Sequence, residues 1–292
     1  MKRFTLLCAI ALIMASHSAL AKTVSVVASF SVLADIVRHV GGEHVKVTEL
    51  VGDNGDPHVF EPSPKDSQSI AKSDVVFISG LGLEGWIDRL IIASGSQSKI
   101  VTVSTGVSPR KIEVNGKTLT DPHAWNSAHN GALYARNIMQ ALIAIDPQDV
   151  DYFREHGETY IQKLEKLDAW AKAKFISIPQ AKRKVLTSHD AFGYFGAEYG
   201  VQFLSPVGLS TEAEASANDV ARLIDQIKKE HITTYFIENQ TNPRLVKQIA
   251  KASGAQLGGE LYPETLSSAN GLTGTYEAAF RHNVTTLASS MK

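Results

Sequence analysis

The chain has 292 residues, 43% of them hydrophobic and 20% charged, with a net charge of −1 and a single cysteine. That balance leaves no basic footprint for nucleic acid and no second thiol for an intrachain disulfide or a thiolate metal site. Beyond the first residues, no run of about 18 apolar residues is present to cross a bilayer.

The N-terminus reads as a secretory signal. Lys2 and Arg3 supply the positive start, residues 6–14 the apolar stretch, and Ala19-Leu20-Ala21 a small-x-small cleavage site before Lys22. Cys8 lies inside this signal, and the first mature residue is Lys22, not the cysteine a lipid anchor requires. The mature protein is therefore expected free in a Gram-negative periplasm, with no stable membrane anchor. Without Lys2 and Arg3 it has 27 basic against 30 acidic residues, a net charge of −3, and its 271 residues suffice for two domains of ordinary size.

The first half alternates strand and helix patterns. Residues 23–30 form a β-rich run, and 31–40 a helix stopped by Gly41-Gly42. Strands are expected at 45–51, 74–79 and 99–103, and helices at 63–72, 83–92 and 126–143. Residues 111–119 read as a hairpin, because Asn115-Gly116 provides the two positive-φ residues of a tight turn. From 149 to 175 the apolar positions Phe153, Tyr160, Leu164, Leu167, Ala171 and Phe175 recur at near-helical intervals on an otherwise polar segment. That spacing predicts one amphipathic helix of about 40 Å, central in the sequence and so a connector between domains.

The second half alternates again, with strands at 184–188, 201–207, 232–237 and 256–261 and helices at 191–199, 216–230, 243–252 and 276–289. Ser216 and Asp219 have the spacing of a capping box. The expected fold class is α/β: two lobes, each a mainly parallel sheet flanked by helices, joined by one long rigid helix. The corresponding divisions are a signal at 1–21, a first lobe at 22–146, the connector at 147–178 and a second lobe at 179–292.

Four strand-following loops carry the candidate chemistry. Two Asp-Pro-His triplets, Asp56-Pro57-His58 and Asp121-Pro122-His123, are stiff, since proline fixes its own φ and restricts the residue before it. His189 ends a strand, and Glu264 follows a strand in Tyr-Pro-Glu. Three imidazoles and one carboxylate are a plausible set for one transition metal, and in open parallel sheets ligands gather beyond the carboxyl ends of strands. Glu61, Glu238 and Glu260 are alternative carboxylates. Asp56, Glu61, Asp121, His129 and Asp190 are candidates for groups behind the ligands, although a polar helix start also accounts for His129. His39 and His44 flank the glycine stop of the first helix, where imidazole suits the dipole. The small, polar stretch 208–216, with Ser210, Glu212 and Glu214, is a candidate loop that orders with metal.

The segments Gly55-Asp-Pro-His-Val-Phe-Glu-Pro62, Asp121-Pro-His-Ala-Trp125, Thr187-Ser-His-Asp-Ala-Phe-Gly-Tyr-Phe195 and Leu261-Tyr-Pro-Glu-Thr-Leu-Ser267 together resemble the zinc- and manganese-binding solute-binding proteins of ABC importers, the ZnuA-like or cluster A-I family. The resemblance covers nearly the whole mature chain. It implies two lobes around a rigid interdomain helix, a metal held in the cleft between them, and an ABC permease as partner. It carries His58, His123 and His189 over as ligands, the last at a position where zinc importers place histidine and manganese importers often place glutamate. Glu264 matches a position usually occupied by aspartate. The lack of a histidine-rich loop, and the stretches 188–193 and 210–216, are similar to the zinc subgroup called AztC.

A filled shell of three imidazoles and a carboxylate suits Zn2+, whereas Mn2+ prefers more oxygen ligands. The expected function is Zn2+ capture and delivery to a permease by a monomer, with a periplasmic zinc chaperone as a possible loading partner. Manganese carriage on the same scaffold is the alternative. A third reading is a zinc hydrolase, in which water fills the fourth position and Glu264 acts as general base.

Overall fold

The computed structural model describes residues 23–114, 117–212 and 215–291. The secretory signal expected at 1–21, the tight turn expected at Asn115-Gly116 and Glu214 lie outside the described residues. In chain order the elements are β1 (Val24–Phe30), α1 (Ser31–Gly41), β2 (Val45–Val51), α2 (Pro64–Ala71), β3 (Val75–Ile78), α3 (Ile87–Ser94), β4 (Lys99–Thr102), β5 (Lys111–Val114), β6 (Lys117–Thr120), α4 (Ala128–Ile145) and α5 (Val150–Ile176). There follow β7 (Lys184–Leu186), α6 (Gly193–Tyr199), β8 (Gln202–Leu204), α7 (Ala217–Lys229), β9 (Thr234–Glu238), α8 (Arg244–Ser253), β10 (Gln256–Leu261) and α9 (Tyr276–Ser290).

Each lobe is built on a four-stranded parallel sheet, ordered β2-β1-β3-β4 in the first and β10-β9-β7-β8 in the second. The central strand β1 is buried at almost every position because helices cover both sheet faces, which is why it reads as a near-continuous apolar run. β5 and β6 form a separate antiparallel hairpin.

The long helix α5 links the lobes. Phe153, Tyr160, Leu164, Leu167, Ala171 and Phe175 are its buried stripe, as the periodicity predicts. Besides this stripe it buries Asp168, which accepts from the Tyr199 hydroxyl at 2.9 Å and from Lys172 at 2.8 Å. The same Tyr199 hydroxyl accepts from the backbone N–H of Ala128 at 3.0 Å, tying α6 to both α4 and α5. At the other end α9 docks on the first lobe, with the Tyr276 N–H donating to Asp35 of α1 at 2.8 Å. One apolar core runs from the first sheet through α4 and α5 into Phe192, Phe195, Tyr199 and Phe280 of the second lobe. A smaller second core, around Leu186, Leu223, Ile227 and Ile249, lies under α7 and α8.

Gly157 lets α5 approach α4 closely. A Cβ there would sit 2.5 Å from the Met139 sulfur and 2.9 Å from its Cβ, too near the backbone for the methionine simply to swing away. Gly157→Ala is therefore expected to destabilise the protein by about 1–3 kcal/mol through overpacking, even though alanine is the better helix former. Thermal unfolding checks this, and an unchanged or raised midpoint would contradict it.

Several elements differ locally from the sequence expectation. The helix expected at 83–92 begins only at Ile87, because Gly80, Leu81 and Gly82 adopt positive φ in a turn. That turn is held by the buried Glu84 carboxylate, which accepts from the N–H groups of Ser79 and Gly80 at 2.6 and 3.0 Å. The strand expected at 201–207 is only three residues long, with Val207 surviving as an isolated bridge to His189. The Ser216 cap forms as expected, its hydroxyl accepting from the Asp219 N–H at 3.1 Å. His44 does not cap α1: its Nδ1 lies 2.6 Å from Asp149 and its ring stacks on Tyr152, which pins α1 to the start of α5.

Candidate metal centre

The four candidate donors follow the ends of four elements: His58 after β2, His123 after β6, His189 after β7 and Glu264 after β10. The folded chain brings them together, with one potential donor atom of each lying within 4.8 Å of all the others. Glu264 is the hub. Its Oε1 lies 2.7 Å from His58 Nε2, 3.0 Å from His123 Nε2 and 3.2 Å from His189 Nε2. The His58 and His123 Nε2 atoms are 3.2 Å apart. Bonds of about 2.0–2.1 Å in a tetrahedron place donors about 3.3 Å apart, and these four separations, 2.7–3.2 Å, lie close to that spacing.

Two imidazoles are fixed through their other nitrogen. His123 Nδ1 donates to Asp121 Oδ1 at 2.9 Å, and the same oxygen accepts the His123 backbone N–H at 3.0 Å. Asp121 is anchored in turn by Arg110, whose guanidinium donates to Oδ2 at 2.7 Å. Gly193 of the second lobe makes room for this pair, since a Cβ there would lie 2.4 Å from Asp121 Oδ2. His189 Nδ1 donates to Glu238 Oε2 at 2.5 Å, while Oε1 of the same carboxylate accepts from the N–H groups of Ser188 and His189. A proton held at Nδ1 leaves the Nε2 lone pair of each ring for a metal. The loops are locked too: Trp86 Nε1 donates to the Pro57 carbonyl, and Trp125 Nε1 and Asn126 Nδ2 both donate to that of Pro263.

His123, His189 and Glu264 are at most 1% exposed, so their charges answer to one another. Burial works against protonating His189, but the carboxylates of Glu238 and Glu264 outweigh it and hold its pKa well above the usual 6.5. His123 is raised in the same way, burial being outweighed by Asp121 and Glu264. Burial also works against ionising Glu264, yet the surrounding imidazoles hold its pKa well below the ordinary carboxylate value. Without a metal, then, the surroundings favour the ionised form of Glu264 and the protonated forms of His123 and His189.

The other candidates divide. Asp56 accepts the His58 backbone N–H at 2.9 Å and shapes that loop. Its own pKa is raised by burial and by the nearby charge of Glu264. Asp121 stands directly behind His123. Asp190 is half-buried and raised by burial and by Asp121, and its N–H donates to the Gly208 carbonyl. His129 and Glu61 are exposed, His129 at the start of α4 and Glu61 beside His58 in the wall of a second cavity. Ser210 is half-buried and Glu212 exposed in the loop before α7, where Ser210 Oγ accepts the Glu212 N–H.

Two contributors were not legible as such. Glu238, weighed in the sequence as an alternative ligand, instead buttresses His189. Gln240, which no sequence motif marks, donates through Nε2 to Glu264 Oε2 at 2.8 Å. Both sit at the exit of β9, and that strand-end position is the one signal that could have found them. A cavity of about 250 Å3 opens beside the centre, lined by Asp56, Ser188, His189, Thr211 and Gln240 among others.

The sequence profile of the family described as zinc-uptake complex component A, periplasmic (ZnuA), matches residues 26–290. Among individual proteins, the chain is 34% identical to the manganese-binding lipoprotein MntA of Bacillus subtilis, covering 91% of this chain and 89% of the relative. It is 30% identical to the iron ABC transporter substrate-binding lipoprotein MtsA of Streptococcus pyogenes, over 91% and 88%. Among solved structures, the periplasmic zinc-binding protein TroA of Treponema pallidum superposes with a TM-score of 0.86 at 28% identity, covering 92% of this chain and 99% of TroA. A match of that extent, with relatives of nearly equal length, makes the chain a member of the ZnuA family, the metal-binding, extracytoplasmic substrate-binding components of ABC transporters, and not an enzyme.

Proposed function

We propose that this protein captures Zn2+ in a Gram-negative periplasm and hands it to a cognate ABC permease, with His58, His123, His189 and Glu264 as the four ligands. The observation that carries the reading is the donor set itself: three imidazole nitrogens converge on a single carboxylate oxygen. The second oxygen of that carboxylate is engaged by Gln240. This favours four-coordinate binding with borderline-soft ligands, which suits Zn2+ better than Mn2+.

The competing reading is manganese carriage, favoured by the relative in Bacillus subtilis that is named for manganese. One titration puts the zinc assignment at risk. The purified chain, stripped of metal and offered both ions together, is expected to take up one Zn2+ and to release Mn2+. Retention of Mn2+ against equimolar Zn2+ would remove the zinc assignment.

Location has its own check. Mass spectrometry of the exported protein should find a mature chain starting at Lys22 without lipid. The working division remains a first lobe at 22–146, a connector at 147–178 and a second lobe at 179–292, acting as a monomer. A periplasmic zinc chaperone is a partner to be sought. Because one core and one helix run through both lobes, release depends on local loop movement, the described residues of the 208–216 stretch foremost, rather than on wide hinge opening.

A further inference from the structure

We infer that Gln240 is a positioning residue that sets metal selectivity by holding Glu264 to one-oxygen coordination. The inference rests on the zinc reading above and extends it to a residue outside the ligand set. Glu264 faces the three imidazoles through Oε1 alone, while Oε2 accepts from Gln240 Nε2 at 2.8 Å. The direction of the Gln240 amide is set by chemistry, because turning it over would bring its carbonyl oxygen against a carboxylate oxygen, with no proton between them. In the observed orientation Gln240 Oε1 is buried without a partner.

Gln240 is held in place by its neighbours. The preceding Asn239 donates through Nδ2 to the Thr265 carbonyl at 3.2 Å and to Asn54 Oδ1 at 3.0 Å, and its own N–H donates to the Leu261 carbonyl. The Thr241 N–H closes the turn on the Glu238 carbonyl at 3.3 Å. The β9 exit thus presents Glu238 to His189 and Gln240 to Glu264 as one rigid unit.

The consequence is selective. Glutamate has the reach to chelate through both oxygens, and a second carboxylate oxygen raises both coordination number and oxygen content. Those are the features Mn2+ favours and tetrahedral Zn2+ does not require. A donor fixed on Oε2 opposes chelation and so penalises the larger, oxygen-preferring ion.

The test uses the full mature chain and its Gln240→Leu variant, with Gln240→Met as a second variant of closer length should the leucine form not fold. The readouts are the ratio of Zn2+ to Mn2+ affinities by competition and the visible spectrum of the Co2+-loaded protein, in which four-coordinate cobalt absorbs strongly and higher coordination weakly. The wild type is expected to show the strong band. Loss of the Gln240 donor should weaken the band and lower the Zn2+/Mn2+ ratio about tenfold, the scale of one hydrogen bond to a charged group. A purely structural role would lower both affinities together and leave the ratio unmoved. If the wild type shows the strong band and prefers Zn2+ but the folded variant keeps both band and ratio, the Gln240 inference is overturned and the zinc reading stands. If the wild type itself shows a weak band and prefers Mn2+, both are overturned.

Discussion

Replacing His189 with alanine should lower Zn2+ affinity by about two to three orders of magnitude. Structural zinc sites are worth about 10–16 kcal/mol in all, so one of four ligands carries roughly a quarter of that, at a tenfold loss per 1.4 kcal/mol. The structure adds a second effect. His189 Nδ1 is the partner of Glu238 Oε2, and Glu238 is 2% exposed. Removing one member of a buried ion pair costs about 3–5 kcal/mol when the other is left uncompensated. Here Glu238 keeps the N–H groups of residues 188 and 189, which do not depend on the imidazole, so the loss should fall at or below the lower end of that range. The metal-free variant should therefore melt several degrees lower. Adding Glu238→Gln should recover much of that stability without recovering affinity. Calorimetric titration and thermal unfolding of both variants separate the two effects; an unchanged zinc affinity in His189→Ala would show that this imidazole is not a ligand.

Zinc binding should weaken steeply in acid, and metal-free and metal-bound stability should respond to pH in opposite directions. In the metal-free protein the pKa values of His123 and His189 are raised above 6.5 and that of Glu264 is depressed below 4.5. A raised histidine contributes stability that is complete below its unfolded value of 6.5 and is lost as pH rises through the folded value. A depressed carboxylate contributes stability that is complete above its unfolded value of 4.5 and is lost as pH falls through the folded value. The buried cluster thus contributes fully to metal-free stability between pH 4.5 and 6.5 and less above that window. A metal needs the Nε2 lone pairs and must expel those same protons. Each expelled proton changes affinity by about tenfold per pH unit below the folded pKa. The rise in melting temperature on adding Zn2+ should therefore grow from pH 5.5 to 8. Titrations in buffers of different ionisation enthalpy should register proton release. An affinity flat across that range would mean that the metal does not displace protons from His123 and His189.

The parts of this protein that were legible in the sequence are those set by local rules. The repeat of Phe153, Tyr160, Leu164, Leu167, Ala171 and Phe175 marks the buried stripe of α5 to within a residue or two of its ends. Alternating strand and helix patterns yield the parallel sheets, and Ser216 announces the start of α7. The two Asp-Pro-His triplets and the residues around 189 and 264 stand out because each follows a strand, where open parallel sheets gather ligands. Misplaced boundaries have local causes as well. Glu84 reaches back to the N–H groups of Ser79 and Gly80 and delays α3, an arrangement that no apolar periodicity records.

Tertiary structure alone decided the rest. The approach of His58, His123 and His189 to one oxygen of Glu264 depends on how two sheets are set across α5; sequence spacing carries no information about that, and only the family resemblance implied the ligand set. Glu238 and Gln240 acquire their roles only because the β9 exit faces both His189 and Glu264; in the sequence Glu238 is one of three alternative carboxylates and Gln240 one glutamine among many polar residues. The exposure of His129 and Glu61 was likewise settled by packing. The sharing of one core by both lobes, with α9 docked on Asp35 and Tyr199 bonded to α4 and α5, follows from long-range burial. Periodicity can say which face of a helix is apolar, but hydrophobic burial is non-directional and does not specify the partner.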